Sequence, residues 1–455
     1  MKKAYLLGLI VAFFACKEEA DVDYALFEGN VLNNKAKEVE IRGNDFEQSI
    51  AINEDGTFSD TLKIENDGYY NFRIGRESSK LYLTKGSDID LNIDVQEFDE
   101  SIVYTGLGAE ENNFLAQKYL KGEMLKGGDQ EFYSLSADAF KDKAKEIKNT
   151  FLDLLSKDTS LSDSFEATEQ KSIEYDYLLH LNNYKSFHRY YARVEEVNLP
   201  ENFLSDLDGF NYQDEETYKT FSNYRDLVKS HFSNRLVKLS EKYEGNYDKA
   251  FLELTASIPK GYIKQEYLNE MAFAFLNPNE NLDAMYATFT ENVTNPEYLK
   301  SYKEKYDKLK TLAKGASSPT FDFENYERGT TSLADLKGKY VYIDVWATWC
   351  GPCLREIPSL KKVETEYHDK NIEFVSISID RKKDYEAWRK MVDDKELGGI
   401  QLMADNDWSS KFVKDYAIEG IPRFILIDTE GKIVTADAPR PSDPELKALF
   451  EELNI

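Results

Sequence analysis

The side chains with the most evident chemistry in this sequence are Cys350 and Cys353, separated by Gly351 and Pro352 and preceded by Trp349. Cysteines three residues apart share a helix face. Their sulfurs can therefore close a small disulfide ring or open to a dithiol. The apolar run Tyr340–Trp346 ahead of them reads as a strand and the residues behind them as a helix, which puts Cys350 at a helix start. Amides at a helix N-terminus stabilise a thiolate, so Cys350 should ionise readily and attack other disulfides. The chemistry implied is thiol–disulfide exchange. A Cys-x-x-Cys pair can also be half of a zinc site, but the chain has no second pair, and His368 alone cannot complete one. His180, His188 and His231 follow no ligand spacing either, so no metal is expected.

The elements that must hold this pair can be read from pattern. Over 24–105 apolar residues alternate, as in Tyr70-Phe72-Ile74 and Ile89-Leu91-Ile93-Val95. Turn residues separate the runs at Glu54-Asp55-Gly56, Asn66-Asp67-Gly68 and Lys85-Gly86-Ser87. This predicts a small antiparallel β-sandwich or barrel with no cluster suited to catalysis. From about 108 to 312 the spacing becomes helical, as in Phe140, Ala144, Ile147, Phe151 and Leu154. Pro259, Pro278 and Pro296 fall where helices should stop. The many tyrosines here fit amphipathic packing in a bundle better than carbohydrate stacking. Residues 314–319, Lys-Gly-Ala-Ser-Ser-Pro, read as a linker. Beyond it come a short strand at Phe321 and Phe323, one turn at Leu333–Leu336, the strand to Trp346, and a helix from Cys350 that Pro358 should kink. A strand at 372–379, helices at 385–392 and 408–416, a hairpin at 424–435 and a helix at 446–453 complete an α/β domain.

Within that domain Asp344 interrupts an apolar strand. A lone buried carboxyl is costly to ionise, so its pKa should rise, and it can then take a proton from Cys353. Three motifs, Trp346-Ala347-Thr348-Trp349-Cys350-Gly351-Pro352-Cys353, Glu356-Ile357-Pro358 and Gly420-Ile421-Pro422, together resemble the thioredoxin-fold domain of the TlpA/ResA-like thiol–disulfide oxidoreductases, which are related to the AhpC/TSA proteins. The likeness covers residues 316–453. It implies that Cys350, the more exposed sulfur, attacks a client disulfide and that Cys353 resolves the mixed disulfide. It also implies that Glu356 belongs to the active site with Asp344 and that Gly351 and Pro352 tune the ring. Trp349 would give an apolar wall. Pro422 would be cis and would present the Ile421 backbone to a client strand. Arg423 could steer acidic clients or serve as an ordinary strand-end cation. Gly-Pro is the pair of thioredoxin, whose potential lies near about −270 mV, so reduction is favoured over oxidation. No cofactor is implied. A peroxidase frame, Pro-x-x-x-Thr-x-x-Cys, fails because Ile343 and Ala347 occupy its first two positions.

The remaining cysteine is Cys16. Lys2 and Lys3 precede an apolar run over 4–15, too short for the ~20 residues of a membrane span. With Ala15 before Cys16 this resembles a bacterial lipoprotein signal, although Phe13 stands where leucine is commoner. Removal of 1–15 and lipidation of Cys16 are expected. Lys17-Glu18-Glu19 reads either as a surface-export tag or as a solvated linker, so a cell-envelope location facing the periplasm or the exterior is implied. The net charge of −27 repels phosphates and excludes nucleic acid as a partner. The chain divides into a signal (1–15), a β-sandwich-like domain (16–106), a helical domain (107–312) and a thioredoxin domain (313–455). The reading is a lipid-anchored, extracytoplasmic reductase of client-protein disulfides, recharged by a thiol donor such as a membrane reductase. A ligand- or polypeptide-binding lipoprotein with a secondary redox module and a disulfide isomerase are the alternatives.

Overall fold

A computed structural model describes residues 22–43 and 46–455; the leader and Cys16 lie outside the described residues. Packing separates two compact units, one ending at His231 and the other running from Phe232 to Ile455, so the division falls inside the helix Ser222–Lys242.

In the first unit the described strands are β1 (Ala25–Leu32), β2 (Glu38–Gly43), β3 (Phe46–Ala51), β4 (Thr57–Leu62), β5 (Gly68–Ile74), β6 (Glu77–Leu83), β7 (Asp88–Asp94) and β8 (Val103–Leu107). They form two four-stranded sheets, β4-β1-β7-β8 and β3-β2-β5-β6. The alternating residues Phe27 and Val31, Ile89 and Leu91, Val39 and Ile41, and Phe72 and Ile74 meet in one core. The pairing departs from an all-antiparallel expectation at β1–β7, which is parallel from Leu26↔Asp88 to Leu32↔Asp94. Alternation decides which residues face inward but says nothing about strand direction. The helices Ala109–Lys126, Ala137–Lys157 and Asp163–Tyr191 follow. Tyr133, on the short helix Asp129–Ser134, and Tyr177 and Tyr184 pack inward with Phe132, Phe140 and Phe203 in a buried cluster, whereas Tyr119 and Tyr190 are exposed. His180 and His188 are held by the Tyr133 hydroxyl (2.9 Å) and carbonyl (2.8 Å), and His231 stacks on Tyr212. A buried Lys118 ammonium donates to the buried Glu169 carboxylate, which also accepts from the Tyr69 hydroxyl.

The second unit carries the helices Tyr247–Ser257, Tyr262–Phe275, Leu282–Asn292 and Pro296–Lys310. Pro259 and Pro278 follow helix ends as expected. Pro296 instead opens a helix, because a missing N–H costs nothing in a first turn and the Asn295 side chain caps the amide of Glu297 at 2.9 Å. The stretch read as a linker is hydrogen-bonded along a hairpin: Gly315 N–H donates to the Ile433 carbonyl (2.7 Å) and Ser318 N–H to that of Gly431 (3.1 Å).

The strands β9 (Asp322–Asn325), β10 (Thr330–Ser332), β11 (Tyr340–Trp346), β12 (Ile372–Ser378), β13 (Ile400–Met403), β14 (Arg423–Ile427) and β15 (Ile433–Thr435) make one mixed sheet, ordered β10-β9-β13-β12-β11-β14-β15. At its centre β11 pairs parallel with β12 and antiparallel with β14, and six of its seven residues are buried. A strand covered on both faces is apolar throughout, which is why its single acid stands out. The helix Gly351–Glu366 runs through Pro358 as one element. The segment 408–416, expected as one helix, is a 3-10 turn at Asp407–Ser409 followed by Lys411–Asp415. Among the described residues no helix is long and apolar enough to cross a membrane.

Candidate active site

β11 ends at Trp346, and the next three residues must turn the chain into a helix. Asp380, buried just beyond β12, fixes that turn: its carboxylate accepts from Thr348 N–H at 2.9 Å, from the Thr348 hydroxyl at 2.8 Å and from the Ser378 hydroxyl at 2.8 Å. Sequence reading missed this residue, since an Asp closing a strand has no distinctive spacing. Cys350 then stands at the N-cap of Gly351–Glu366, and Pro352 falls in the first turn, where it fits. Cys350 and Cys353 are joined, with sulfurs 1.98 Å and Cα atoms 5.3 Å apart. The Cys350 Sγ accepts the Cys353 N–H at 3.2 Å, the bond that a thiolate at this place would use.

Both cysteines are 4% exposed, so in the oxidised state Cys350 is not the more open residue that sequence reasoning expected. What separates them is their surroundings. Cys350 sits between exposed Trp349 and exposed Gly351 and Pro352, whereas Cys353 is one turn deeper and lines an internal cavity with Asp344.

Asp344 is buried at the middle of β11, level with Ser376 on one side and Phe424 on the other. Burial pushes its carboxyl up to about 8, and the charges of Glu364 and Glu356 add to the effect. Its Oδ1 has no hydrogen-bond partner. A carboxyl in this state can accept a proton near neutral pH and release it again. Glu356 is half-buried and its carboxylate accepts from Ser442 N–H (3.0 Å) and the Ser442 hydroxyl (2.9 Å). It thus reaches Asp344 through its field. Glu364 was not anticipated. Burial holds its carboxyl at about 7, against the lowering effect of Lys361. The signal was present, because Cys353, Ile357, Leu360 and Glu364 follow four-, three- and four-residue steps along one helix face.

The outer face is built by the loop before β14. The Ile421–Pro422 peptide is cis, and the Ile421 carbonyl oxygen lies 3.7 Å from the Cys350 Sγ. Trp349 is 57% exposed, with its ring 6.4 Å from that of Trp408. Arg423 is ion-paired with Asp437 at 2.7 Å, so it is not a free steering cation. A further apolar group comes from outside the region that the motifs cover. Phe273, on the helix Tyr262–Phe275, is also 57% exposed, and its ring lies 3.2 Å from where a Cβ on Gly420 would stand. Lys305 lies over that ring at 5.4 Å and pairs with Glu419 at 2.6 Å. Nothing in the local sequence marks Phe273, because an aromatic in a helix ordinarily faces the core.

Residues 313–450 match the Redoxin family. The thiol-disulfide oxidoreductase ResA of Bacillus thuringiensis (strain Al Hakam) is 30% identical over 139 residues, which are 30% of this chain and 78% of that protein. Among solved structures, the thioredoxin domain of a thiol-disulfide oxidoreductase from Bacteroides vulgatus is 32% identical, with 31% of this chain and 98% of that one covered at a TM-score of 0.29. A thiol-disulfide oxidoreductase from Bacteroides fragilis is 30% identical, with 30% and 98% covered at a TM-score of 0.28. A sulfur pair at a helix start, a buried acid behind it, the Redoxin match over 313–450 and the likeness to ResA lead to one conclusion: the chain belongs to the ResA-like thiol–disulfide oxidoreductases, and it is a thioredoxin-like oxidoreductase.

Proposed function

We propose that the protein reduces disulfides of client proteins on the outer side of the cytoplasmic membrane, using Cys350 and Cys353 as its working pair. The observation that carries this reading is the position of Cys350, whose sulfur caps the helix by accepting the Cys353 N–H and lies beside the Ile421 carbonyl that precedes cis-Pro422. A client strand pairing with Ile421 would bring its disulfide to the Cys350 sulfur, with Trp349, Gly351 and Pro352 as the surrounding floor. The thiolate attacks one client sulfur, and the other leaves with the electron pair. Cys353 then attacks Cys350, the client sulfur leaves reduced, and the enzyme is left oxidised. Asp344, biased by Glu356, takes the proton of Cys353. A thiol donor restores the dithiol. The test is reduction of insulin by the full chain with a dithiol donor; a rate no greater than that of the donor alone would reject the reading.

The four-segment division, with lipid on Cys16 and a cell-envelope location, belongs to the same proposal. It rests on the leader pattern, and mass measurement of the protein purified from membranes tests it: a diacylglycerol-sized increment on Cys16 is expected. Phe273 should extend the client face. Its replacement by serine is expected to raise KM for insulin about threefold to tenfold, the loss of one apolar contact of about 1 kcal/mol. Steady-state kinetics on insulin at several concentrations check this.

One observation favours the ligand-binding alternative. The first unit carries an open cleft of about 330 Å3, with Phe151 and Tyr177 on its apolar side and Lys118, Asp176 and His180 on its polar side. Native mass spectrometry of the purified chain would reveal a molecule retained there.

A further inference from the structure

We infer that Glu364 is the outer carboxyl of a proton relay, serving Asp344 through the cavity behind Cys353. This rests on the reading above, in which Asp344 takes the proton of the resolving thiol.

The geometry is local and specific. Asp344, Trp346, Cys353, Glu364, Ser376 and Gln401 line one small cavity, with about 10 Å3 in which the centre of a water molecule fits. Three of these residues carry a buried polar atom with no hydrogen-bond partner: Asp344 Oδ1, Trp346 Nε1 and Gln401 Oε1. Orphaned buried polar atoms are uncommon, and three around one cavity mark a place for a bridging water. Asp344 is 9% exposed, whereas Glu364, three turns along the helix from Cys353, is half-buried. The two carboxyls therefore form a path from the sulfur towards solvent. Glu364 also has a fitted seat. A Cβ on Gly398 would stand 2.6 Å from its Oε2, and one on Gly399 3.1 Å from its Oε1. Gly399 has φ +63°, a left-handed conformation that side chains disfavour. Nearby Lys361 directs its ammonium to the Lys395 carbonyl at 3.0 Å, and among the described residues no cation is ion-paired with Glu364.

The charged groups at the cavity are Asp344 from β11 and Lys361 and Glu364 from the helix, with Glu356 acting on Asp344 from nearer the sulfurs. The strands carrying Ser376 and Gln401 add no titratable side chain to it. In resolution the Cys353 S–H loses its proton to the Asp344 carboxylate as the new S–S bond forms and the client sulfur leaves with its electrons. Asp344 passes that proton on as it arrives, within the resolution step, so the onward transfer helps to set the rate of that step. Glu364 receives it across the cavity and passes it to bulk water. In recharging of the pair the proton travels back.

The experiment is single-turnover oxidation of the reduced full chain by a disulfide-bonded peptide, acid-quenched and quantified by mass spectrometry between pH 5.5 and 9, in H2O and D2O. Wild type, Glu364→Gln and Glu364→Asp are compared, with thermal denaturation confirming that each is folded. Glu364→Gln keeps the shape but cannot relay. It is expected to lower the high-pH plateau of the resolution step about tenfold and to enlarge the solvent isotope effect, while Glu364→Asp recovers most of the rate. An unchanged plateau overturns the relay. So does a mere displacement of the pH inflection at full plateau rate, which would mean that Glu364 acts on Asp344 by charge alone. A wild type unable to oxidise at all would instead reject the functional reading on which the relay depends.

Discussion

Replacing Cys350 by serine is expected to lower protein-disulfide reduction by roughly a thousandfold or more, because a hydroxyl neither ionises at neutral pH nor forms a disulfide. Cys353→Ser should behave differently. It keeps the attacking sulfur at the helix start but removes the group that displaces the client, so the reaction should stop at a mixed disulfide on Cys350. Insulin reduction measures the first effect. Non-reducing mass analysis of the Cys353→Ser protein after exposure to a disulfide peptide measures the second. A Cys350→Ser protein with undiminished activity would place the chemistry elsewhere and remove the proposed mechanism. So would a Cys353→Ser adduct carried on any residue other than Cys350.

Asp344→Asn should make the protein more stable and slower at once. The Asp344 carboxyl ionises near its ordinary 3.8 when unfolded and at about 8 when folded. Between those values the native state holds a proton that the unfolded chain has released, so stability falls as pH rises through the window. At pH 7 the cost is about 4 kcal/mol at 1.36 kcal/mol per pH unit. Asparagine has the shape of the neutral acid without this liability. The variant should therefore gain about 4 kcal/mol at pH 7 and almost nothing near pH 4, as denaturant midpoints at the two pH values would show. Glu364, held at about 7, adds the same sign of pH dependence to both proteins. Resolution should meanwhile slow by about a hundredfold, the usual worth of a positioned base. A gain equal at both pH values would mean that packing, not ionisation, sets the cost.

How much of this was open to reading from sequence depends on how directly each feature writes itself into residue pattern. The strand holding Asp344 and the helix after Cys350 were legible because an unbroken apolar run and a Cys-Gly-Pro-Cys start allow few other structures. β13 was not: it is only four residues long, begins just after Gly398-Gly399 and includes Gln401. The parallel pairing of β1 with β7 was invisible to alternation. At the site, Asp344 stood out as one acid in an apolar strand, while Glu364 was hidden by the commonness of glutamate on helices. Only its place on the Cys353 face separated it from its solvated neighbours. Phe273 lies more than seventy residues from the cysteines, and only tertiary packing brings it to Gly420.

That last contact bears on how the protein is handled. A truncation starting at residue 313 would retain both sulfurs and all the carboxyls of the centre, yet it would strip away Phe273 and Lys305 and lay bare the ground they cover around Glu419 and Gly420. If Phe273 extends the client face as proposed, such an excised fragment would keep the sulfur chemistry of the parent while holding its clients less tightly. Assays on it alone would then understate the affinity of the intact chain.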